Sequence, residues 1–284
     1  LPSELGMISS ASLNVLRQPV NFIKLLPNAI KSATRVGALR IIKGVELPPS
    51  PLTAPRTRFN VPVSSNRSWD AALFPLEQIK RLKNAAGVTL NDVVLGICSI
   101  ALESYLSEKN EIPKKSLVAM IPISIRQESQ TGTSGNQVSA MIVSLETKEK
   151  NLLNRLKKIK QNSVSAKMYN QAIGVKTIMD YYDTVPFALG SLASRLYTFT
   201  AMAKRHNPLF NVVITNIPGP QIPLYMNGAR LQGNYGCVPI LDGIGIILTM
   251  FSYAGTFSIS VTTSKEIMPD VENFMNHVKS AFES

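Results

Sequence analysis

The chain has 284 residues, 45% of them hydrophobic and 17% charged, with a formal net charge of +12. That composition excludes a disordered chain and allows a sizeable core. Two cysteines exclude a disulfide framework: Cys98 and Cys237 each sit in an apolar run and read as reduced core residues of a cytosolic protein. The two histidines, His206 and His277, are far apart without a Cys or His partner, so no metal site is expected. No uninterrupted apolar run is long enough to cross a bilayer. The positive charge favours an anionic partner, whether phosphate, nucleic acid or a membrane surface, without choosing among them. No zinc-finger or RNP-type pattern occurs, and nucleic acid is not the expected partner.

Leu1 opens the chain, and the expectation is of a processed, cut or trimmed product. Residues 10–46 read as helical but interrupted by Pro19 and Pro27. Arg17, Lys24, Lys31 and Arg35 can share one face. This stretch reads either as a basic amphipathic segment on a lipid surface or as a connector packed on its own protein. Residues 47–66, rich in Pro, Ser and Thr, read as an extended linker or a surface-hugging strap, so the expected division is 1–66 and a compact domain over 67–284.

Within that domain elements of both kinds alternate. Ser68–Leu73 reads as a strand and Pro75–Ala86 as a helix stopped by Gly87. Thr89–Leu106 reads as a helix opened by the capping pattern Thr89-x-x-Asp92, apolar nearly all round and therefore deeply buried. Strands are expected over Leu117–Ile123 and Gln137–Leu145, then an amphipathic helix over Lys148–Ala166 and two helical stretches over 170–182 and 186–203. A buried strand, 210–216, is expected to end at the Pro218-Gly219-Pro220 corner, followed by short strands within 223–238. A hairpin over 244–262 turns at Ala254-Gly255, and a last helix spans 270–282 with Asp270 at its start. The pattern is α/β with a mixed sheet.

The residues alone complete no catalytic constellation. A Ser–His–Asp arrangement would need one of two histidines in polar surroundings. Asp242-Gly243-Ile244-Gly245 is too poor in glycine for a phosphate loop.

Six stretches, in order, carry a resemblance: PLTAPRTRFN (51–60), TLNDVVLGICSIALESYL (89–106), LVAMIPISIR (117–126), GNQVSAMIVSLET (135–147), FNVVITNIPGPQIPLYMNGARL (210–231) and LDGIGIILTMFSY (241–253). Together they resemble the C-terminal half of bacterial wax ester synthase/acyl-CoA:diacylglycerol acyltransferases. The resemblance implies one mixed-sheet, two-layer half of a CoA-dependent (chloramphenicol acetyltransferase-like) acyltransferase fold. It implies transfer of a fatty acyl group from acyl-CoA to a long-chain alcohol or diacylglycerol, with acyl-CoA as co-substrate and no bound cofactor. The family's base is the second His of an H-H-x-x-x-D-G motif in the N-terminal half. That motif does not occur here, so the implied partner is an N-terminal half carrying it. The alternative is a non-catalytic lipid- or membrane-binding module. The implied location is cytoplasmic, at the periphery of a membrane or lipid inclusion.

The resemblance also selects site residues. Asn91 and Asp92 hold the family's N-D position, either capping a helix or shaping the tunnel beside the catalytic His. Thr215 and Asn216 are the candidate oxyanion or substrate-polar groups at a strand end. Arg126 reads equally as a CoA-phosphate contact or as the partner of a carboxylate. Asn136 reads as a turn or substrate residue, and Asp242 as a turn former near the interface. Pro218, Gly219, Tyr225, Asn227 and Gly228 are candidates for the substrate side, where Gly leaves room for a chain.

Overall fold

A computed structural model describes residues 32, 34–41, 44–124, 138–173, 191 and 195–284. The chain divides into two units, one of Leu1–Leu47 with Lys167–Thr200 and one of Pro48–Ala166 with Ala201–Ser284. In the first, residues 34–41 are helical and the Ser32 hydroxyl donates to the Ile173 carbonyl at 2.8 Å. Of the expected basic face only Arg35 is described; Arg17, Lys24 and Lys31 lie outside the described residues.

The second unit is built on a six-stranded sheet. Its strands are β1 (Arg67–Pro75), β2 (Val118–Ser124), β3 (Val138–Ser144), β4 (Val212–Pro218), β7 (Ile246–Tyr253) and β8 (Thr256–Ser264), in the order β1-β8-β7-β4-β2-β3. β2, β4 and β7 are parallel, and the remaining neighbours pair antiparallel. β5 (Tyr225–Met226) and β6 (Ala229–Arg230) form a separate small hairpin. The helices are α1 (Leu76–Ala86), α2 (Leu90–Glu108), α3 (Leu152–Ile173), which continues into the first unit, and α4 (Val271–Glu283).

Alternation along the strands sets the two faces of the sheet. Ile214, Leu248, Met250, Phe257, Ile259 and Val261 face the helical layer, where they join Val93, Val94 and Ile97 of α2 and Phe274 and Val278 of α4 in one core. α2 is apolar on all sides because it lies inside this layer; by length and composition it could cross a membrane, but 67% of its most apolar window is buried in the protein. It starts with the expected capping box: the Asp92 backbone N–H donates to the Thr89 hydroxyl at 3.2 Å, and the Thr89 N–H donates to the Asp92 carboxylate at 2.9 Å. α1 ends at Gly87 with φ 63°, a conformation glycine adopts without a Cβ penalty.

The opposite face carries Val213, Ile247 and a row of hydroxyls on β8 that hold an extended segment across the sheet. Ser258 Oγ donates to the Asn234 carbonyl at 2.6 Å, and the Gly236 and Val238 N–H groups donate to Ser260 Oγ and Thr262 Oγ1 at 3.2 and 3.4 Å. These side chains do the hydrogen bonding that a neighbouring strand would otherwise do, which accounts for so many buried Ser and Thr in β8.

Four expectations change. The unit begins at Pro48, not near Arg67, because Ala54, Phe59 and Asn60 of the presumed linker are buried. β4 does not stop at Asn216: Ile217 and Pro218 still pair with Phe251 and Ser252, since a proline at a strand end loses no needed donor. Asp270 precedes α4 but makes no side-chain cap; its carboxylate is taken by Tyr105 and Lys109 instead. Cys98 is buried, but Cys237 is exposed, because it lies on the segment laid over the sheet. The expected helix over 186–203 is described only in part, at 195–199, and 174–190 lie outside the described residues.

Candidate functional site

The parallel strands give the unit two distinguishable ends. At the end where they begin, the Asn211 N–H donates to the Val118 carbonyl at 2.7 Å, and Tyr105, near the C-terminus of α2, meets Asp270 just before α4. At the end where they finish, Ser252 of β7 meets Gly219, and Phe74 of β1 packs on Phe282 at the end of α4. Since the C-terminus of α2 lies at the first end, its N-terminus, with Asn91 and Asp92, lies toward the second. This is the end where α/β sheets present ligand sites.

Thr215 and Asn216 lie near that second end of β4, but they do not share a face. Thr215 pairs in register with Thr249 and stands on the face of Val213; Asn216 pairs with Met250 and stands on the helical side. Both are half-buried, and neither side chain is hydrogen-bonded among the described residues. Asn91 is likewise half-buried and unbonded, whereas Asp92 is 2% exposed and occupied by its cap. Thr249 is buried beside Thr215, with its hydroxyl unpaired among the described residues. The second end therefore holds uncommitted donors and acceptors on both sides of the sheet.

The corner after β4 has a structural reason. The Gly219 N–H donates to the Ser252 carbonyl at 3.0 Å, and a Cβ on Gly219 would come within 2.4 Å of that oxygen. The Ala254 N–H donates to the Pro220 carbonyl at 3.2 Å, so Pro218, Gly219 and Pro220 tie β4 to the β7–β8 turn. Tyr225, Asn227 and Gly228 are exposed on the β5–β6 hairpin, with Asn227 and Gly228 at φ 46° and 81° in its turn. Asp242 accepts from the Val63 N–H at 2.8 Å and fastens the 48–66 strap. Arg126 and Asn136 lie outside the described residues.

Sequence reasoning missed a network at the first end. Asn60 Nδ2 donates to the Phe210 and Gly243 carbonyls, both at 3.0 Å. Asn211 Nδ2 donates to the Pro55 carbonyl at 2.6 Å and to Asn60 Oδ1 at 2.9 Å, while Asn211 Oδ1 accepts from the Val118 N–H at 2.9 Å. The stretches PLTAPRTRFN and FNVVITN each contribute one buried asparagine to this clasp. The signal available was an Asn in an otherwise apolar context in both.

Beside it the Tyr105 hydroxyl donates to Asp270 at 2.7 Å and accepts from Arg58 at 3.1 Å, and Lys109 Nζ lies 2.5 Å from Asp270. Burial, and then the adjacent carboxylate, push the Tyr105 hydroxyl up to about 12. Burial opposes ionisation of Asp270, but hydrogen bonds from Lys109 and Tyr105 outweigh it and hold the carboxyl at about 2. His277 pairs with Glu108 at 2.8 Å at this same end, and His206 is half-buried with Nδ1 2.7 Å from the Asn207 carbonyl. Neither histidine is placed among the open polar groups of the second end. No group of three metal-ligating side chains occurs among the described residues.

An apolar cavity of about 350 Å³ opens in the helical layer, bounded by Leu82, Val93, Gly96, Ile97, Leu156 and Phe282. None of the expected site residues lines it.

Comparison with known proteins places these features. Residues 134–284 match the family model described as the WS/DGAT C-terminal domain, and residues 5–94 match that of the wax ester synthase/diacylglycerol acyltransferase catalytic domain. A Mycobacterium tuberculosis protein named as a diacylglycerol O-acyltransferase is 35% identical over 235 residues, covering 81% of this chain and 50% of its own length. The Acinetobacter baylyi protein named O-acyltransferase WSD is 33% identical over 232 residues, covering 81% and 48%. The solved wax ester synthase/diacylglycerol acyltransferase from Marinobacter aquaeolei VT8 superposes with a TM-score of 0.64 at 24% identity over 91% of this chain and 56% of that one, which shows a shared fold. The chain spans about half the length of the curated relatives it matches. It belongs to the wax ester synthase/diacylglycerol acyltransferase family.

Proposed function

We propose that this chain is the C-terminal half of an O-acyltransferase that moves a fatty acyl group from acyl-CoA to a long-chain alcohol or diacylglycerol. Its catalytic base is a histidine of a facing N-terminal half carrying H-H-x-x-x-D-G. The observation that carries this reading is the open end of the sheet, where Asn91, Thr215 and Asn216 are half-buried without hydrogen-bond partners among the described residues while the histidines lie elsewhere. Family membership and the half-length match to relatives support it.

In this reading the histidine of the facing half removes the hydroxyl proton of the alcohol, whose oxygen attacks the thioester carbonyl. The tetrahedral intermediate places negative charge on the former carbonyl oxygen. Asn216, an amide donor on the helical side of β4, stabilises that oxyanion, and Asn91, toward the same end of the sheet, orients the acceptor. The CoA thiolate leaves and takes up the proton from the histidine. The net charge of +12 suits the CoA phosphates, and Arg126 is the proposed contact. Thr215, on the opposite face, is assigned to positioning the strand with Thr249.

The test is ester synthesis from palmitoyl-CoA and hexadecanol. The 284-residue chain alone should be inactive, and the chain joined to a family N-terminal half should be active. Turnover by the chain alone would overturn the division of labour.

A further inference from the structure

We propose that the apolar cavity in the helical layer binds a single-chain anionic amphiphile, a long-chain fatty acid, at a place separate from the open end of the sheet. The cavity holds about 350 Å³ between α1, α2, α3 and α4. Protein interiors are close-packed, so a gap of this size is more than packing slack. One face of α2 lines it with Val93, Gly96, Ile97 and Ile100, which recur at helical spacing. A Cβ on Gly96 would stand 2.4 Å from Leu156 Cδ2, so α2 and α3 touch at that glycine and the space lies beside their contact.

Three features fit this ligand. First, the wall has no use for water. Arg155, the charged residue on it, is 2% exposed and already engaged: Nε donates to the Glu149 carbonyl at 2.9 Å, and the guanidinium also meets Glu103 and Ser99. Water inside would find few partners, and apolar cavities of this kind take apolar guests instead. Second, the volume lies at the small end of ligand pockets, about 300–1,000 Å³. That suits one hydrocarbon chain, and leaves no room for two chains or for a nucleotide.

Third, the mouth is apolar and its rim is cationic. Leu82, Leu152 and Leu153 line the cavity and are exposed, Leu153 by 59%. Lys160 Nζ donates to the Gly87 carbonyl at 2.7 Å, which sets α3 against the end of α1. Lys157 stands one turn beyond Leu153, Lys160 one turn beyond Leu156, and half-buried Lys83 follows Leu82. None of these lysines has a carboxylate partner among the described residues. The nearby carboxylates are taken: Glu103 by Lys150 and Arg155, and Glu149 by Lys158. Helical spacing puts Glu283 on the side of α4 away from Ala281, Phe282 and Ser284, which line the cavity. A chain in the cavity therefore leaves its head among lysines, where a carboxylate gains charge-assisted hydrogen bonds.

This inference does not rest on acyl transfer, and its test reads binding only. Sodium palmitate, hexadecanol and palmitoyl-CoA compete with the fluorescent fatty acid cis-parinaric acid for the full chain. Palmitate should displace the probe, and hexadecanol, with the same tail and no charge, should do so about tenfold or more weakly. Leu153→Trp puts a bulky ring in the mouth from an exposed position; it should melt with the parent chain and lower palmitate affinity about tenfold or more. The double variant Lys157→Glu/Lys160→Glu tests the rim independently, and should weaken palmitate while leaving hexadecanol unchanged. Palmitoyl-CoA weakened equally by Leu153→Trp would make acyl-CoA a second source of the same chemistry. Palmitoyl-CoA unaffected by that variant would leave the cavity to the free acid. Absence of palmitate binding, hexadecanol binding as tight as palmitate, or palmitate binding unchanged in Leu153→Trp each overturns the inference.

Discussion

Asn211 and Asn216 are five residues apart on or beside one strand, and their circumstances are opposite. Asn211 is fully buried, with both of its amide atoms engaged: the nitrogen on Pro55 and Asn60, the oxygen on Val118. Asn216 is half-buried with no partner among the described residues. The same side chain is therefore a rivet at one end of β4 and an unused donor at the other. A buried amide left without partners costs about 1–3 kcal/mol, a cost the clasp spares Asn211. Asn216, half-buried, keeps access to solvent and is available for the proposed substrate oxygen.

The largest effect on stability should come from removing the rivet. Asn211→Leu leaves the Val118 N–H and the Pro55 carbonyl without their side-chain partner and removes one of the bonds to Asn60 Oδ1. It should destabilise by about 3–5 kcal/mol in urea unfolding, the sum of several buried groups left unsatisfied. Asn60→Ala should cost less, and the double mutant should cost less than the two singles added, with a coupling of about 1–3 kcal/mol. Additive losses would mean that the two asparagines act separately.

Gly219→Ala should follow at about 1–3 kcal/mol, because its Cβ would press on the Ser252 backbone oxygen, which cannot swing away. Thr89→Ala should cost about 1 kcal/mol by opening the cap of α2. A Gly219→Ala protein as stable as the parent would show that the corner yields, and that the Pro-Gly-Pro motif has some use other than close packing.

The charged cluster at the closed end predicts a pH dependence of defined sign. Asp270 has a folded-state value of about 2, below an ordinary carboxylate, so its contribution is present above the usual carboxylate range and is lost as pH falls toward 2. Tyr105 is raised to about 12, so its neutral form is favoured in the folded chain; its contribution is complete below the usual phenol value and is lost as pH rises toward 12. Tyr105→Phe should flatten the alkaline limb of the melting-temperature profile and weaken the acid limb. An unchanged alkaline limb would place the titration on another group.

Much of the fold was legible because its signals are local. Thr89-x-x-Asp92 names its own helix start, Gly87 its own helix stop, and Ala254-Gly255 its hairpin turn. What stayed hidden depends on residues distant in the chain. Composition leaves 47–66 open between linker and strap, because nothing near Phe59 and Asn60 says that Gly243 and Asn211, more than 140 residues on, will cover them. Asp270 reads as a cap because its position suits one, and Tyr105 and Lys109, which take its carboxylate, come from another part of the chain. For the site, adjacency makes Thr215 and Asn216 read as a pair, yet strand alternation alone, a constraint present in the sequence, sends them to opposite faces.

The central claim is tested most directly by Asn216→Ala in this chain joined to a histidine-bearing N-terminal half, with turnover measured per folded molecule. Loss of an oxyanion donor predicts a fall in turnover of about 10²–10³-fold with an unchanged melting midpoint. A lowered midpoint with unchanged turnover per folded molecule would contradict the account and make Asn216, like Asn211, a structural residue.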